Sequence, residues 1–126
     1  MPQIQSPKDA VVLVVEDDAE TLASVTNLIV NELGCQVFGA LSGAHALAIV
    51  DSGVNIDILF SDVVMPGMDG IALAKAVREK IPTVHIVLAT GWPRAVEVAT
   101  DVGAIPLIKP YSLAQLKSVL LEGVPQ

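Results

Sequence analysis

Aromatic residues make up only 3% of this 126-residue chain, although 52% of its residues are hydrophobic. A core of that kind has to be built from Val, Leu, Ile and Ala, the composition of sheets covered by helices on both faces. Cysteine is nearly absent. The single Cys35 has no partner for an internal disulfide and, at the start of an apolar run, reads as a packed thiol. Basic residues are few: seven Lys and Arg stand against fourteen Asp and Glu, a formal charge of −7. They are scattered along the chain, which argues against the basic footprint that direct nucleic-acid binding requires. Long apolar runs are missing too. Despite a mean hydropathy of +0.63, no stretch approaches the roughly eighteen residues of a spanning helix. Met1 to Ala10 lacks the apolar segment of a secretory signal. The chain is expected to be cytoplasmic, with no membrane and no nucleic acid among its partners.

What the sequence does contain is an alternation, repeated five times, of short apolar runs with stretches of helical period. That pattern predicts an α/β domain with a parallel sheet. The strands are expected near Val11 to Val15, Gln36 to Ala40, Ile56 to Ser61, Val84 to Ala89 and Ile105 to Ile108. A first helix from Ala19 to Leu33 is capped by Asp18, turns Leu22, Val25, Ile29 and Leu33 inward, and ends at Gly34. Helices two and three are expected over Gly43 to Val50 and Gly70 to Lys80, the latter capped by Asp69 and followed by Pro82. Helix four, Pro93 to Thr100, is short, β-branched and opened by a proline, and is the element expected to shift most easily. The last helix starts at Ser112, with Gln115 completing a capping box, and buries Leu113, Leu116 and Leu120. Residues 1–9 read as a flexible N-terminal arm, 10–121 as one domain, and 122–126 as a C-terminal tail with no output domain expected after it.

In an open parallel sheet the loops at the carboxyl ends of the strands converge on one crevice. Three pieces of this chain would meet there: Glu16-Asp17-Asp18 after the first strand, Asp62 after the third, and Lys109-Pro110 after the fifth. Carboxylates about 4 Å apart repel by roughly 4 kcal/mol per pair at an effective dielectric near 20, and a divalent cation would relieve that strain. Oxygen ligands without nearby Cys or His favour magnesium over zinc or copper. The crevice therefore reads as a magnesium-dependent phosphoryl-acceptor site. Asp18 is the member better placed to cap the following helix.

With those positions fixed, VLVVEDD ending at Asp18, DILFSDVVMPGMDG at 57–70, LATG at 88–91 and IKP at 108–110 resemble the receiver domain of two-component response regulators. The resemblance spans about residues 10–121. It implies a doubly wound five-stranded parallel sheet in the order 2-1-3-4-5, a flavodoxin-like (βα)5 fold. It further implies that Asp62 accepts a phosphoryl group from a phosphohistidine of a histidine kinase or phosphotransfer protein. Asp17 would bind Mg2+ directly, Glu16 through water, and Val64 through its main-chain carbonyl. Thr90 would hydrogen-bond one phosphoryl oxygen, Lys109 would neutralise another, and the bond before Pro110 would be cis. Such a domain is not an enzyme in the ordinary sense. It is a bacterial phosphoprotein that assists its own phosphorylation and dephosphorylation and switches a surface read by a downstream protein target. The chemistry agrees, because phosphoryl transfer depends on positioning and on neutralising charge over the equatorial oxygens.

Two positions depart from the family pattern. Pro106 stands where many receivers carry an aromatic switch on the fifth strand, and proline there suits an edge strand. Trp92, in the loop after Thr90, is expected, together with apolar Val64, to slow loss of the phosphoryl group, since neither orients an attacking water. A haloacid-dehalogenase-type phosphatase would place a second acid two residues after Asp62, where Val64 stands. A flavodoxin would bind phosphate after strand one, where three acids would repel it. A receiver-like binding module that works without phosphorylation stays open because of Pro106. His45 is expected to be structural or exposed, and Met65, Gly67 and Gly70 to shape the loop after Asp62.

Overall fold

The computed structural model describes residues 9–122. The expected arm and tail lie outside the described residues, apart from Asp9 and Glu122. Five strands, β1 (Val11–Val15), β2 (Gln36–Ala40), β3 (Ile58–Asp62), β4 (His85–Thr90) and β5 (Ile105–Ile108), alternate with α1 (Ala19–Leu28), α2 (Gly43–Asp51), α3 (Gly70–Lys80), α4 (Ala95–Asp101) and α5 (Leu113–Leu121). The strands form one parallel sheet in the order β2-β1-β3-β4-β5. This is the doubly wound (βα)5 arrangement.

The apolar runs are near-continuous because both faces of the sheet are covered. Val12 and Val14 face a layer containing Ile58, Phe60, Val25, Ile29, Leu116 and Leu120. Leu13 and Val15 face the opposite layer, with Leu59, Leu88, Leu73 and Val77. Leu13 is fully buried. Leu13→Ala is therefore expected to cost about 3 kcal/mol through lost transfer energy and the residual cavity, read as a lower urea midpoint; a midpoint within error of wild type would contradict this packing.

The helix starts follow their caps. Asp18 accepts from the Thr21 amide at 3.0 Å and from its hydroxyl at 2.5 Å, and Asp69 accepts from the Ala72 amide at 2.8 Å. Ser112 and Gln115 form the reciprocal capping box. Those bonds from Thr21 hold the Asp18 carboxyl below its ordinary pKa. The contribution of this cap is present at neutral pH and fades as pH falls through that lowered value.

Several expectations need correction. The first helix is not uniform: after Leu28 it widens into a π-type turn, Ile29–Leu33, closed by Gly34 at φ 78°. An apolar spacing of four suits either winding, so Ile29 and Leu33 are both buried as expected. Helix four begins at Ala95 rather than Pro93, because Pro93 and Arg94 form a turn in which the Ala95 amide bonds to the Trp92 carbonyl. Leu113 is 36% exposed, since it opens α5 before the helix reaches the sheet. β3 begins at Ile58, and β3 and β4 each run one residue further than expected, making Asp62 and Thr90 the last residues of their strands. Cys35 is buried, which pushes its thiol pKa up, and His45 is exposed. Among the described residues no helix is long and apolar enough to cross a membrane.

Candidate functional site

β1 and β3 are register neighbours, with Val15 opposite Ser61. The residues that follow, Glu16 and Asp17 on one side and Asp62 on the other, are thereby brought to the same end of the sheet. Their carboxylate oxygens lie within 4.8 Å of one another. Glu16 is buried and Asp17 exposed, so the cluster opens outward through Asp17. Asp18 is turned away into its helix cap, and Glu16 accepts from the Asp18 amide at 3.2 Å.

Two elements complete the crevice from the other side. Lys109, just past β5, places its ammonium 2.5 Å from an Asp62 carboxylate oxygen, the lysine side chain 41% exposed and the aspartate 12%. Its backbone is fixed by an amide bond to the Thr90 carbonyl at 2.8 Å, and the Lys109-Pro110 peptide is cis. Thr90 is buried at the end of β4, one residue past Ala89, the register partner of Asp62. Its hydroxyl oxygen accepts from the Trp92 amide at 2.9 Å, which leaves the hydroxyl proton available to an oxygen in the crevice.

The loop after Asp62 is held by its own backbone. The Val63 amide donates to Ala89 and the Gly70 amide to Val63, while the Ser61 hydroxyl donates to the Asp62 carbonyl. Gly70 sits so close that a Cβ built on it would lie 2.1 Å from the Asp62 carbonyl oxygen. Gly67 carries a positive φ of 79° in the same loop.

Not every expected residue enters the crevice. Val64 and Trp92 are 67% and 68% exposed, so the indole is not packed beneath helix four. Pro106 is half-buried on the edge strand β5, opposite Leu88, well below the strand ends. Conversely, Tyr111 lines a shallow cleft with Glu16, Thr21, Phe60, Asp62 and Lys109 and meets Phe60 edge to face at 6.2 Å. Burial, and secondarily the Asp62 charge, push the Tyr111 phenol above its ordinary pKa, so it stays a neutral donor. The sequence signal for it was slight: the chain's one tyrosine, two residues past Lys109.

Three acids converging at the carboxyl ends of a doubly wound sheet, with a lysine paired to one of them, define a receiver-type module with a clustered acidic site. The chain belongs to the response regulator receiver domain family, whose model matches residues 12–121. It is similar to the sensor kinase CckA of Brucella abortus, 37% identical over 120 residues; the match covers 90% of this chain but only 12% of that protein. Among solved structures it is similar to the receiver domain of the hybrid histidine kinase CckA, at 29% identity and a TM-score of 0.75, covering 92% of this chain and 100% of that one. It is also similar to the chemotaxis protein CheY4 of Vibrio cholerae, at 29% identity and a TM-score of 0.80, covering 91% and 98%.

Proposed function

We propose that this chain is a two-component receiver that takes a phosphoryl group from a phosphohistidine onto Asp62 and thereby switches a surface for a second protein. The observation that carries it is the joint placement of Glu16, Asp17, Asp62 and Lys109 at one end of the sheet. The donor set fits Mg2+, being oxygen atoms only; Asp17 and Asp62 would hold the ion directly, Glu16 through water, and Val64 through its carbonyl. When bound, the ion supplies positive charge to the transferring phosphoryl oxygens.

Asp62 is the nucleophile: its carboxylate oxygen attacks phosphorus in line as the bond to the donor imidazole breaks and the ring keeps that electron pair. Lys109 neutralises one equatorial oxygen and Thr90 donates its hydroxyl proton to another. The phosphoryl group on Asp62 then carries about −1.5 to −2 charge, which draws the Thr90 loop inward. Helix α4 has no side-chain cap and only seven residues, so it is the element whose arrangement that movement shifts. With Pro106 on β5, the readout runs through this loop and α4 rather than through an aromatic on that strand. A kinase or phosphotransfer partner in the cytoplasm fits the kinase name of the relative in Brucella abortus. Removing divalent ions with a chelator is expected to stop labelling by a small acyl phosphate donor, and undiminished labelling would overturn the metal assignment.

The phosphoryl group is expected to be long-lived, because exposed Val64 and Trp92 offer no side chain that orients water against phosphorus. Val64→Asn, which adds an amide able to hold a water, is expected to shorten the lifetime severalfold. A lifetime equal to wild type, timed by the decay of the labelled mass, would show that the side chain at 64 does not govern loss of the phosphoryl group.

A further inference from the structure

The two edges of the sheet are built differently. β5 carries Pro106 and runs into Lys109, both of which discourage pairing with another strand. β2, Gln-Val-Phe-Gly-Ala, has neither a proline nor a charge. It lies in the stretch 33–50, which contains no Asp, Glu, Lys or Arg. In a chain of formal charge −7, the strand itself therefore adds no like charge against another copy.

The hydrogen-bond directions on β2 give the edge a pattern of its own. The Gln36 amide donates to the Ala10 carbonyl and the Ala40 carbonyl accepts from Glu16, each at 3.0 Å. Successive residues of a strand point these groups to alternate sides, so Gln36, Phe38 and Ala40 face β1. Val37 and Gly39 then present their N–H and C=O groups outward, where no described strand lies. Phe38, between them, is 39% exposed.

We propose that β2 is a self-association edge, on which a second copy of this chain pairs antiparallel about a twofold axis at Phe38. That axis sets Val37 of each copy against Gly39 of the other, and these are the residues whose amides and carbonyls point outward. They form the hydrogen-bonded pairs, about four bonds in all. Phe38 faces its own copy in the intervening non-hydrogen-bonded pair, where side chains come closest and aromatic pairs stabilise. Any other register loses this match or places one outward group against none. The exposed Leu41 just past the strand extends the apolar surface. Because the contact is isologous it closes at two copies, and the crevice at Asp62 stays open in each.

The test is sedimentation velocity on the full chain up to about 1 mM. Wild type is expected to show a monomer–dimer equilibrium. Phe38→Lys, at an exposed position facing its own copy, is expected to weaken it about tenfold or more, with an unchanged circular dichroism spectrum. In a Cys35→Ala background, Phe38→Cys places two thiols across a pair whose Cα atoms lie about 4.5 Å apart, within disulfide range. Two copper(II)-phenanthroline complexes, each taking one electron as the two thiols lose their protons, should convert it to a covalent dimer faster than the exposed control Leu113→Cys. A wild type monomeric throughout, a dimer that Phe38→Lys leaves intact, or cross-linking no faster at 38 than at 113 would overturn the proposal.

Discussion

Gly70→Ala is expected to destabilise the protein by about 3 kcal/mol and to slow phosphoryl labelling of Asp62 well beyond what lost stability explains. Glycine to alanine in a helix interior ordinarily gains about 1 kcal/mol, but Gly70 is the first residue of α3 and the clash there sets the sign. The reason is space. The added methyl would lie 2.1 Å from the Asp62 carbonyl oxygen and 2.9 Å from both the Asp62 carbonyl carbon and Val63 Cα. All three are backbone atoms with no rotamer to retreat into. Either α3 moves away from β3, opening the layer that holds Leu73 and Val77, or the Asp62 backbone rotates and carries its carboxylate off the line shared with Asp17 and Lys109. Both outcomes lower the urea midpoint and the labelling rate. A Gly70→Ala variant as stable and as fast as wild type would show that this contact does not hold the acceptor in place.

Lys109→Ala should separate activity from stability in the opposite way. Its ion pair with Asp62 lies at the mouth of the crevice, the lysine side chain 41% exposed. Exposed pairs contribute about 0–1 kcal/mol, and with Asp62 only 12% exposed the loss should lie at the upper end of that range, a small fall in the urea midpoint. The effect on phosphoryl transfer should be large, because the ammonium meets charge that is greatest in the transition state. Removing one preorganised donor of this kind typically costs about 10²–10³ in rate. The check is the initial rate of labelling with a small phosphate donor at saturating magnesium, with Lys109→Arg expected to recover only part of it because the planar guanidinium cannot replace a compact ammonium. A rate for Lys109→Ala within a factor of about three of wild type would remove Lys109 from the transfer step, since that is well under 1 kcal/mol.

Much of this architecture was legible because the forces that set it are written locally. Both-face burial makes the strands continuous apolar runs, and Asp18, Asp69 and Ser112 each sit at the start of a helix for the same reason that they bond its free amides. That Glu16, Asp17, Asp62 and Lys109 reach one side of the sheet followed from parallel strands; that β1 and β3 are neighbours there came with the order that the family resemblance implies. What could not be read depends on close approach between distant or backbone groups. The need for glycine at 70 comes from the Asp62 carbonyl eight residues earlier, across a loop with no helical or strand periodicity. Tyr111 enters the crevice through its contact with Phe60, a pairing no spacing in the sequence encodes. Leu113 satisfies the helical period yet stands off the sheet, because amphipathic periodicity gives the face of a helix and not where its first turn begins relative to the core. The π-type turn at Ile29–Leu33 was hidden for the related reason that a four-residue apolar spacing serves two windings.

The central claim is that Asp62 is the acceptor. Intact mass after incubation with a small acyl or amido phosphate donor and magnesium tests it most directly, for wild type and Asp62→Asn side by side. A single phosphoryl adduct on the wild type, absent from Asp62→Asn, is the result the account predicts. A folded wild type that takes no adduct, or an Asp62→Asn variant that takes the same one, would contradict it and leave the chain a receiver-like binding module that works without phosphorylation.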